Sequence, residues 1–432
     1  MRRAPPVTRA TLDVEWAINF CACDNDARKL VFCLFFWAAE FTTIPGMQSQ
    51  LPEPSADALA ASRALQTLIA NDIRHNSGWI PFSRYMELAL YAPGVGYYSG
   101  GATKLGKDGD FTTAPEMTPL FGATVAQVVA GLLRQGAPQI IEFGAGTGRL
   151  AVDVLTELAA MGVRVHRYSI VELSGELRAR QQKALRAFPQ VTWLDQFPSA
   201  FSGVVLGNEV LDAMPPHLVV KTAHGWRERG LGLTEKKFVY RDRPVDPALI
   251  KQIPDAEALP VGYLTEVHPV AIGFMRSLAD MLATGYDRIG LGGAALLFDY
   301  GFPAAEYYLA ERARGTLMCH YRHRAHADPM FLPGLQDITA HVDFSAMARA
   351  AVEGGLDVLS YTSQAAFLID AGIGDLLLRT PPTDKLRYLP QANAVQKLTS
   401  PAEMGELFKV LVVGKHMSLP ERFARSDRSH RL

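Results

Sequence analysis

The chain has 432 residues, of which 48% are hydrophobic, with a formal net charge of −1 and a pI near 6.8. This length exceeds that of an ordinary single domain, so we expect a core with large insertions or a second lobe. The near-neutral charge and the lack of a long basic run argue against strong non-specific binding to nucleic acid.

The first 46 residues differ in character from the rest of the chain. They contain three of the four cysteines and the apolar run LVFCLFFWAA (30–39), which is too short to span a bilayer. Acidic residues near this run argue against a signal peptide and a mitochondrial presequence. We expect the native protein to start at Met47, with 1–46 as a mis-assigned or unstructured extension. Without that extension Cys319 is the remaining cysteine, which is typical of a reducing cytoplasm, and no integral membrane span is predicted.

Residues 47–135 are predicted to form a helical region that precedes the core. Apolar residues recur with helix periodicity over 56–74, 81–92 and 118–135. Prolines at the ends of the second of these segments are typical of helix boundaries. We therefore expect three helices before the first strand of the core.

A glycine-rich stretch at 94–110 interrupts these helices. Its six glycines favour a mobile loop, which we expect to become ordered when a ligand binds. Thr113 and Glu116 follow it, just before a helix. They are interpreted either as a helix cap or as part of a lid over the amino acid end of that ligand.

The most informative stretch is QIIEFGAGTGR (139–149), where an apolar run ends in alternating glycines. The run predicts a buried strand, and the following LAVDVLTELAAMG has helix periodicity. Strand, glycine turn and helix form the nucleotide-binding crevice of a doubly wound α/β sheet. Glu142 precedes the turn, and Gly144, Gly146 and Gly148 allow the backbone to approach a ligand closely.

The spacing of these glycines indicates which ligand is bound. A dinucleotide fingerprint would place its third glycine at Arg149, whereas here a glycine falls one position earlier. The next predicted strand, 167–172, ends in Glu172, which is well placed to accept hydrogen bonds from two ribose hydroxyls. An acid before the turn and a ribose acid after the next strand together resemble the pattern of class I methyltransferases, and this resemblance implies a site for S-adenosyl-L-methionine (SAM).

The strand pattern predicts an α/β fold of class I SAM-dependent methyltransferase type, Rossmann-like, with a seven-stranded sheet and a reversed last strand pair. The predicted strands are 139–143, 167–172, 191–194, 203–215, 294–301, 356–363 and 407–415. The chain is divided into an extension (1–46), a helical and lid region (47–135), a core (136–417) with insertions at about 214–292 and 302–355, and a tail (418–432). We expect the insertions and the region before the core to form a cap that holds the methyl acceptor.

Polar side chains cluster where the fourth strand is expected to meet the cofactor's methyl group. Asn208, Glu209 and Asp212 occur in GNEVLDAMPPH, and carboxylates there could grip a planar cation such as a guanidinium. The alternative is that Asp212 caps a following helix and Asn208 fixes a turn. Because all three residues lie at the end of one strand, which the alternative explains less well, we predict them as catalytic.

Two further groups are predicted to bind substrate. Asp299 and Tyr300 end the fifth strand, and the alternative is a turn aspartate with an interface tyrosine. Tyr321, Arg322 and His323 occur in MCHYRHRAHADP, which is interpreted as a recognition loop or as a solvated basic loop. Histidines spaced by three suggest metal, but this spacing separates them on a strand or a helix, so no metal is predicted.

Taken together, the chain resembles the MidA family, which comprises bacterial proteins and the mitochondrial assembly factor 7 of NADH:ubiquinone oxidoreductase. The resemblance covers about residues 60–417. It is carried, in this order, by GDFTTAPEMTPLFG, IIEFGAGTGRLAVDVL, YSIVELSGELRARQ, GNEVLDAMPPH, LLFDYG, GTLMCHYRHRAHADP, GLQDITAHVDF and GELFKVLVVGK.

This resemblance implies a function as well as a fold. It implies that Gly144, Gly146 and Glu172 bind SAM, and that the three polar residues after strand four face the methyl group. It also implies a protein arginine methyltransferase, acting on a complex I core subunit or, in a bacterial relative, on another protein.

Two other functions stay open from the sequence. A non-catalytic assembly chaperone could keep the fold as a docking surface, although it would have no need of Glu172. An NAD-dependent oxidoreductase is disfavoured by Arg149. Neither the acceptor protein nor the oligomeric state is indicated.

Overall fold

The computed structural model describes residues 51–100, 112–235 and 237–432. The predicted extension at 1–46 and most of the predicted mobile loop lie outside these residues. The strands are, in chain order, β1 (Ile80–Pro81), β2 (Gln139–Phe143), β3 (Arg167–Val171), β4 (Val191–Leu194), β5 (Gly203–Asn208), β6 (His217–Thr222), β7 (Gly225–Thr234), β8 (Lys237–Pro244), β9 (Leu264–Val267), β10 (Gly293–Phe302), β11 (Met318–Tyr321), β12 (Arg324–His326), β13 (Asp337–Thr339), β14 (Val342–Asp343), β15 (Asp357–Ser363) and β16 (Phe408–Lys415).

The helices cover both faces of the main sheet and connect its strands. They are α1 (Ala56–His75), α2 (Phe82–Tyr91), α3 (Ala114–Met117), α4 (Pro119–Leu133), α5 (Arg149–Ala160), α6 (Gly175–Ala184), α7 (Pro247–Ile250), α8 (Pro269–Ile289), α9 (Ala304–Tyr307), α10 (Phe344–Glu353), α11 (Gln364–Asp370), α12 (Ile373–Leu377), α13 (Lys385–Thr399) and α14 (Met404–Leu407). None of the helices in the described part of the chain combines the length and apolarity needed to cross a membrane.

The main sheet has the order β15-β16-β10-β5-β2-β3-β4, with β14 added beside β10. Five strands run parallel to one another: β4, β3, β2, β5 and β10. β16 is antiparallel to both β10 and β15. β15 and β16 thus appear in the sheet in the reverse of their chain order. Of these two strands, β16 runs antiparallel to the parallel strands and β15 does not. This confirms the predicted α/β class I fold.

Alternation along the strands places apolar residues on both faces of the main sheet. Ile140 and Leu296 pack with α4 and α5 on one face. Ile141 and Leu297 pack with α8 and α10 on the other. Strands buried on both faces are apolar throughout, which is why short runs of hydrophobic residues located them in the sequence.

The first predicted insertion and β1 together form a second, smaller sheet. β1, β7, β6 and β9 follow one another in this sheet, and β8 pairs with β7. α1 and α2 pack on it through a buried cluster that includes Leu65, Tyr85, Leu218 and Leu231. Helix α8, although it lies inside the predicted 214–292 insertion, packs on the main sheet and belongs to the core.

The second insertion and the chain end also contact the core. β12, β11 and β13 form a three-stranded sheet, and α10, inside the predicted 302–355 insertion, packs on the main sheet. The predicted tail is ordered: Phe423 is 2% exposed in the core, and the Arg428 amide donates to the Tyr361 carbonyl at 2.6 Å. It extends the hydrophobic core instead of leaving it.

Candidate functional site

A cavity of about 1250 Å³ lies at the carboxyl ends of β2, β3 and β5. Its walls come from the glycine turn after β2, from α2 and α3, and from the segments around β11 and β13. Ligands of open α/β sheets bind at this edge, because the loops there diverge and leave a crevice. All three predicted parts of the cap contribute to the walls.

The glycine turn supplies a close backbone approach to the cavity. Gly144 and Gly146 line it with φ of +61° and +53°, the left-handed region that favours glycine. A Cβ added at Gly144 would lie 3.4 Å from Val210 Cγ2. Gly148, also at positive φ, is instead the N-cap of α5 and is not among the described residues that line the cavity. The structure thus places Gly148 at the start of α5, and its contact with the cofactor stays a prediction.

Glu172 lies at the end of β3 and is fixed by two donors. Its Oε1 accepts from the Ser174 amide at 2.9 Å, and its Oε2 accepts from Gln181 Nε2 at 2.9 Å. Burial raises the pKa of Glu172, and these hydrogen bonds act in the opposite direction. The carboxylate is thus held rigidly against the cavity, with lone pairs left to accept further hydrogen bonds.

Gln181 joins three parts of this wall. It is fully buried, and its Nε2 also donates to the Gly146 carbonyl at 2.9 Å. Its Oε1 accepts from Trp193 Nε1 at 2.9 Å. The residue was missed in the sequence, because a glutamine on a polar helix carries no signal of a long-range contact.

Glu142 reaches the cavity from within β2. It is 2% exposed and accepts from the Tyr168 hydroxyl at 2.7 Å. Burial raises its pKa to about 7, although the bond from Tyr168 acts in the opposite direction. It is therefore a buried acid with an aromatic donor at the floor of the site.

Helix α3 lies over the glycine turn. Thr113 is its N-cap residue but makes no capping hydrogen bond through its side chain, and it lines the cavity. Glu116 lines the cavity too and accepts a hydrogen bond from the Thr147 hydroxyl in the glycine turn. The interpretation of this pair as a simple helix cap is thus not supported. The contacts fix α3 directly to the glycine turn.

The end of β5 brings Asn208, Glu209 and Asp212 to the cavity. Glu209 has φ of +55°, a strained conformation for a residue other than glycine, and its Oε1 accepts from Asn208 Nδ2 at 3.0 Å. The predicted fourth strand (203–215) therefore ends at Asn208. No helix of the described chain starts at Asp212, so the interpretation of that residue as a helix cap is wrong.

The carboxylates of this group have raised pKa values. Burial raises the pKa of Glu209 to about 8, with a further contribution from Asp212. Burial also raises the pKa of Asp212 to about 6, although a hydrogen bond from Tyr300 acts in the opposite direction. Asn208 Oδ1 and Asp212 Oδ1 are buried and have no hydrogen-bond partner. Two unmatched acceptors beside the carboxyl group of Glu209 are suited to a ligand that donates hydrogen bonds and carries positive charge.

Asp299 and Tyr300 separate at the end of β10. Tyr300 lines the cavity as predicted. Asp299 does not: it is 1% exposed, and its Oδ2 accepts from the amides of Val210 and Leu211 at 3.1 and 2.9 Å. In the structure Asp299 therefore braces the backbone that carries Glu209, and its predicted contact with substrate stays a prediction.

Tyr321, Arg322 and His323, which were predicted to bind substrate, are not among the described residues that line the cavity. Arg322 and His323 form the two-residue turn between β11 and β12, both at positive φ, which is the conformation of a tight hairpin. Tyr321 is 3% exposed and packs against Phe331. In the described residues no three side chains of the metal-ligating types come together as a metal site.

Four polar residues stand out among the cavity residues that were missed as site candidates. Tyr91 and Tyr98 contribute from α2 and the loop after it, and Asp337 contributes from β13. His341 follows β13; burial lowers its pKa to about 4, and its Nδ1 lies 3.3 Å from the Thr316 carbonyl. Because a carbonyl only accepts, Nδ1 carries the proton and Nε2 is the free acceptor atom of a neutral ring. The sequence GVGYYSGG offered no sign that its second tyrosine meets an aspartate 239 residues later.

The described side chains fit SAM. A Cβ at Gly144 would contact Val210, Glu172 presents carboxylate oxygens at the strand end, and Glu209 and Asp212 line the same cavity, where they suit a positively charged sulfur. Because the lining is mainly acidic, it suits a cofactor that carries no phosphate group.

Comparison with known proteins agrees with this geometry. A family model described as "Putative S-adenosyl-L-methionine-dependent methyltransferase" matches residues 120–362. A Caenorhabditis elegans relative named mitochondrial protein arginine methyltransferase NDUFAF7 homolog is 30% identical over 335 residues, covering 70% of this chain and 75% of the relative. The Rattus norvegicus protein arginine methyltransferase NDUFAF7 is 28% identical over 387 residues, covering 80% of this chain and 83% of its own.

A solved structure gives a closer match. A Burkholderia thailandensis protein, described as a "likely methyl transferase" bound to S-adenosyl-homocysteine, is 53% identical, with a TM-score of 0.83. The match covers 89% of this chain and 100% of that protein. With the family model and the mitochondrial relatives, it shows that the chain belongs to this family of SAM-dependent methyltransferases, as the MidA resemblance predicted.

Proposed function

We propose that the protein transfers a methyl group from SAM to the guanidinium of an arginine in another protein. The observation that carries the proposal is the acidic group after β5: Glu209 and Asp212 share one cavity with the glycine turn and Glu172. Carboxylates suit a guanidinium because they can accept two parallel N–H bonds from its planar edge. The relatives named protein arginine methyltransferases support this choice of acceptor.

In this proposal the cavity residues divide into two sets. Glu142, Gly144, Gly146 and Glu172, with Thr113 and Glu116 above them, hold the cofactor. Asn208, Glu209, Asp212 and Tyr300 orient the acceptor. The region before the core and the two insertions then act as the cap that encloses it, and enclosure strengthens the charge interactions by excluding water.

When bound, the cofactor supplies a methyl carbon on a positively charged sulfur. Glu209 and Asp212 hold the acceptor nitrogen in line with that carbon, and alignment of reacting atoms is a large part of catalysis in displacement reactions. Bound SAM would supply the methyl carbon for the new bond to nitrogen, and its sulfur would keep the electron pair of the carbon–sulfur bond. Ionised Glu209 accepts the proton that the nitrogen loses, and its raised pKa suits that role near neutral pH.

The finer expectations belong to the same proposal. They are that the acceptor is a respiratory complex I subunit or another protein, and that the reaction takes place in the cytoplasm. Cys319, described as a free and buried thiol, is in keeping with a reducing compartment.

The proposal is tested by incubating the enzyme with methyl-labelled SAM and an extract of source cells that lack this gene. Labelled protein is hydrolysed, and its methylated amino acids are separated. We expect the label in methylarginine, and we expect Glu209→Gln to lose transfer while Glu257→Gln, at a side chain 90% exposed, keeps it. Label confined to other amino acids, or normal turnover by Glu209→Gln, would overturn the proposal.

A further inference from the structure

The cavity has an excess of negative side chains. Its described lining contains two arginines, and both are already paired: Arg84 with Asp72 at 3.0 Å, and Arg149 with Asp153 at 2.7 Å. The carboxyl side chains in the same lining are Glu87, Glu116, Glu142, Glu172, Asp195, Glu209, Asp212 and Asp337. Such a lining attracts cations and repels anions.

Asp337 reaches this cavity from β13, a strand that the sequence did not predict. It is 2% exposed, and its Oδ1 accepts from the Tyr98 hydroxyl and from the Ile338 amide, both at 3.0 Å. Two donors to one oxygen hold the carboxylate in a fixed orientation. A buried acid of this kind costs stability unless it is compensated, so a role at the cavity is a physical reason to keep it.

Tyr91 and Tyr98 form an aromatic wall next to Asp337. Their rings stack with centroids 5.5 Å apart and an interplanar angle of 23°, and both line the cavity. The Tyr91 hydroxyl donates to the Ala213 carbonyl at 2.9 Å, which fixes the wall to the residue after Asp212. The pair is therefore tied to β13 at one ring and to the segment after β5 at the other.

The acids of the two segments are close enough to affect each other. Burial, Asp212 and Asp337 all raise the pKa of Glu209. Burial and Asp337, followed by other neighbouring groups that include Asp212, raise the pKa of the Tyr98 hydroxyl, so that hydroxyl remains a donor. A cation placed between these acids would relieve their mutual repulsion.

We propose that Asp337 and the Tyr91–Tyr98 pair complete, with Glu209 and Asp212, the subsite for the acceptor side chain, and that they select a guanidinium over an ammonium. This inference rests on the proposed function. A guanidinium is planar and weakly hydrated; it stacks on aromatic rings and binds carboxylates bidentately, whereas an ammonium is a compact, strongly hydrated charge.

The test measures binding of three blocked tripeptides to the full chain saturated with S-adenosyl-homocysteine. The peptides are acetyl-Gly-Arg-Gly-amide and its lysine and citrulline counterparts. Their binding is measured by the broadening of their NMR lines. Citrulline keeps the shape of arginine without its charge. We expect the arginine peptide to bind about tenfold more tightly than either counterpart, with a millimolar affinity typical of so small a ligand.

Variants assign this selectivity to residues. Asp337→Asn keeps an acceptor for Tyr98 and Ile338. It should lower the affinity for the arginine peptide about tenfold and leave the affinity for S-adenosyl-homocysteine unchanged. Tyr98→Phe keeps the ring and should have a smaller effect. Asp375→Asn, at an exposed position, is the matched control and should bind like the unaltered protein.

Three results would overturn the inference: binding of the lysine or the citrulline peptide as tight as that of the arginine peptide, unchanged affinity in Asp337→Asn, or no arginine binding at about 20 mM in protein that binds S-adenosyl-homocysteine. Labelled methylarginine in extract proteins alongside any of these would leave the proposed function standing. If the arginine peptide bound selectively but no methylarginine formed in the extract, the inferred subsite would stand and the proposed function would fail.

Discussion

Replacing Glu172 with glutamine tests how the cofactor's ribose is held. The carboxylate is fixed by Ser174 and Gln181 on one side, and in our account it accepts both ribose hydroxyls on the other. Glutamine keeps one oxygen but presents an amide group to a donor. At least one charge-assisted hydrogen bond is lost, and a donor then faces a donor.

The expected magnitude follows from these contacts. A hydrogen bond to a charged group contributes about 1.5–3 kcal/mol, and an unmatched buried donor adds about 1 kcal/mol. The total of roughly 2.5–4 kcal/mol corresponds to a loss of affinity of about 70- to 900-fold. Calorimetric titration with S-adenosyl-homocysteine measures it directly.

A matched control uses the next helix. Glu176→Gln changes an acid in the first turn of α6 that pairs with Arg180 and is absent from the cavity lining in the described chain. It should bind the ligand like the unaltered protein. If Glu172→Gln bound within about threefold of the unaltered protein, which is under 1 kcal/mol, the ribose assignment would be refuted.

Three further changes have distinct outcomes. Gly144→Val puts a β-branched residue at φ of +61° and should abolish S-adenosyl-homocysteine binding in the same titration. Gly131→Ala, at a helical position with open space, should retain binding. Binding by the valine variant would contradict the close approach of the backbone to the ligand. Because neutral Glu209 cannot pair with a cation, kcat/KM for the acceptor should rise as pH increases through about 8, and a profile that stays unchanged in Glu209→Gln would be evidence against this origin. Phe423→Ala should lower the free energy of unfolding by about 3–5 kcal/mol in urea, since Phe423 is 2% exposed against Phe367; a loss below about 1 kcal/mol would show that the chain end is not part of the core.

The core could be predicted because its signals are local. Short apolar runs bounded by glycine or by polar residues placed the seven main strands, and the run at 139–143 matched β2 at both ends. The fourth strand was extended too far because VLDAM is apolar. The chain leaves the strand there since Glu209 adopts a left-handed conformation, and no local pattern of residues requires this.

The strands inside the cap and several site residues could not be predicted because they depend on distant contacts. β7 and β8 mix charged and apolar residues, so their pairing became visible only in the folded chain. The contact of Tyr98 with Asp337 joins positions 239 residues apart. Arg322 and His323 form a hairpin turn without the glycine or asparagine that usually indicates one, and their charges therefore suggested recognition instead.

A crystal structure of the full chain with S-adenosyl-homocysteine tests the central claim most directly. We predict ribose hydroxyls within hydrogen-bond distance of Glu172, and the sulfur turned toward the end of β5, with Glu209 and Asp212 on the far side of the place a methyl group would occupy. A ligand whose ribose lies away from Glu172, or whose sulfur points away from these carboxylates, would contradict the account.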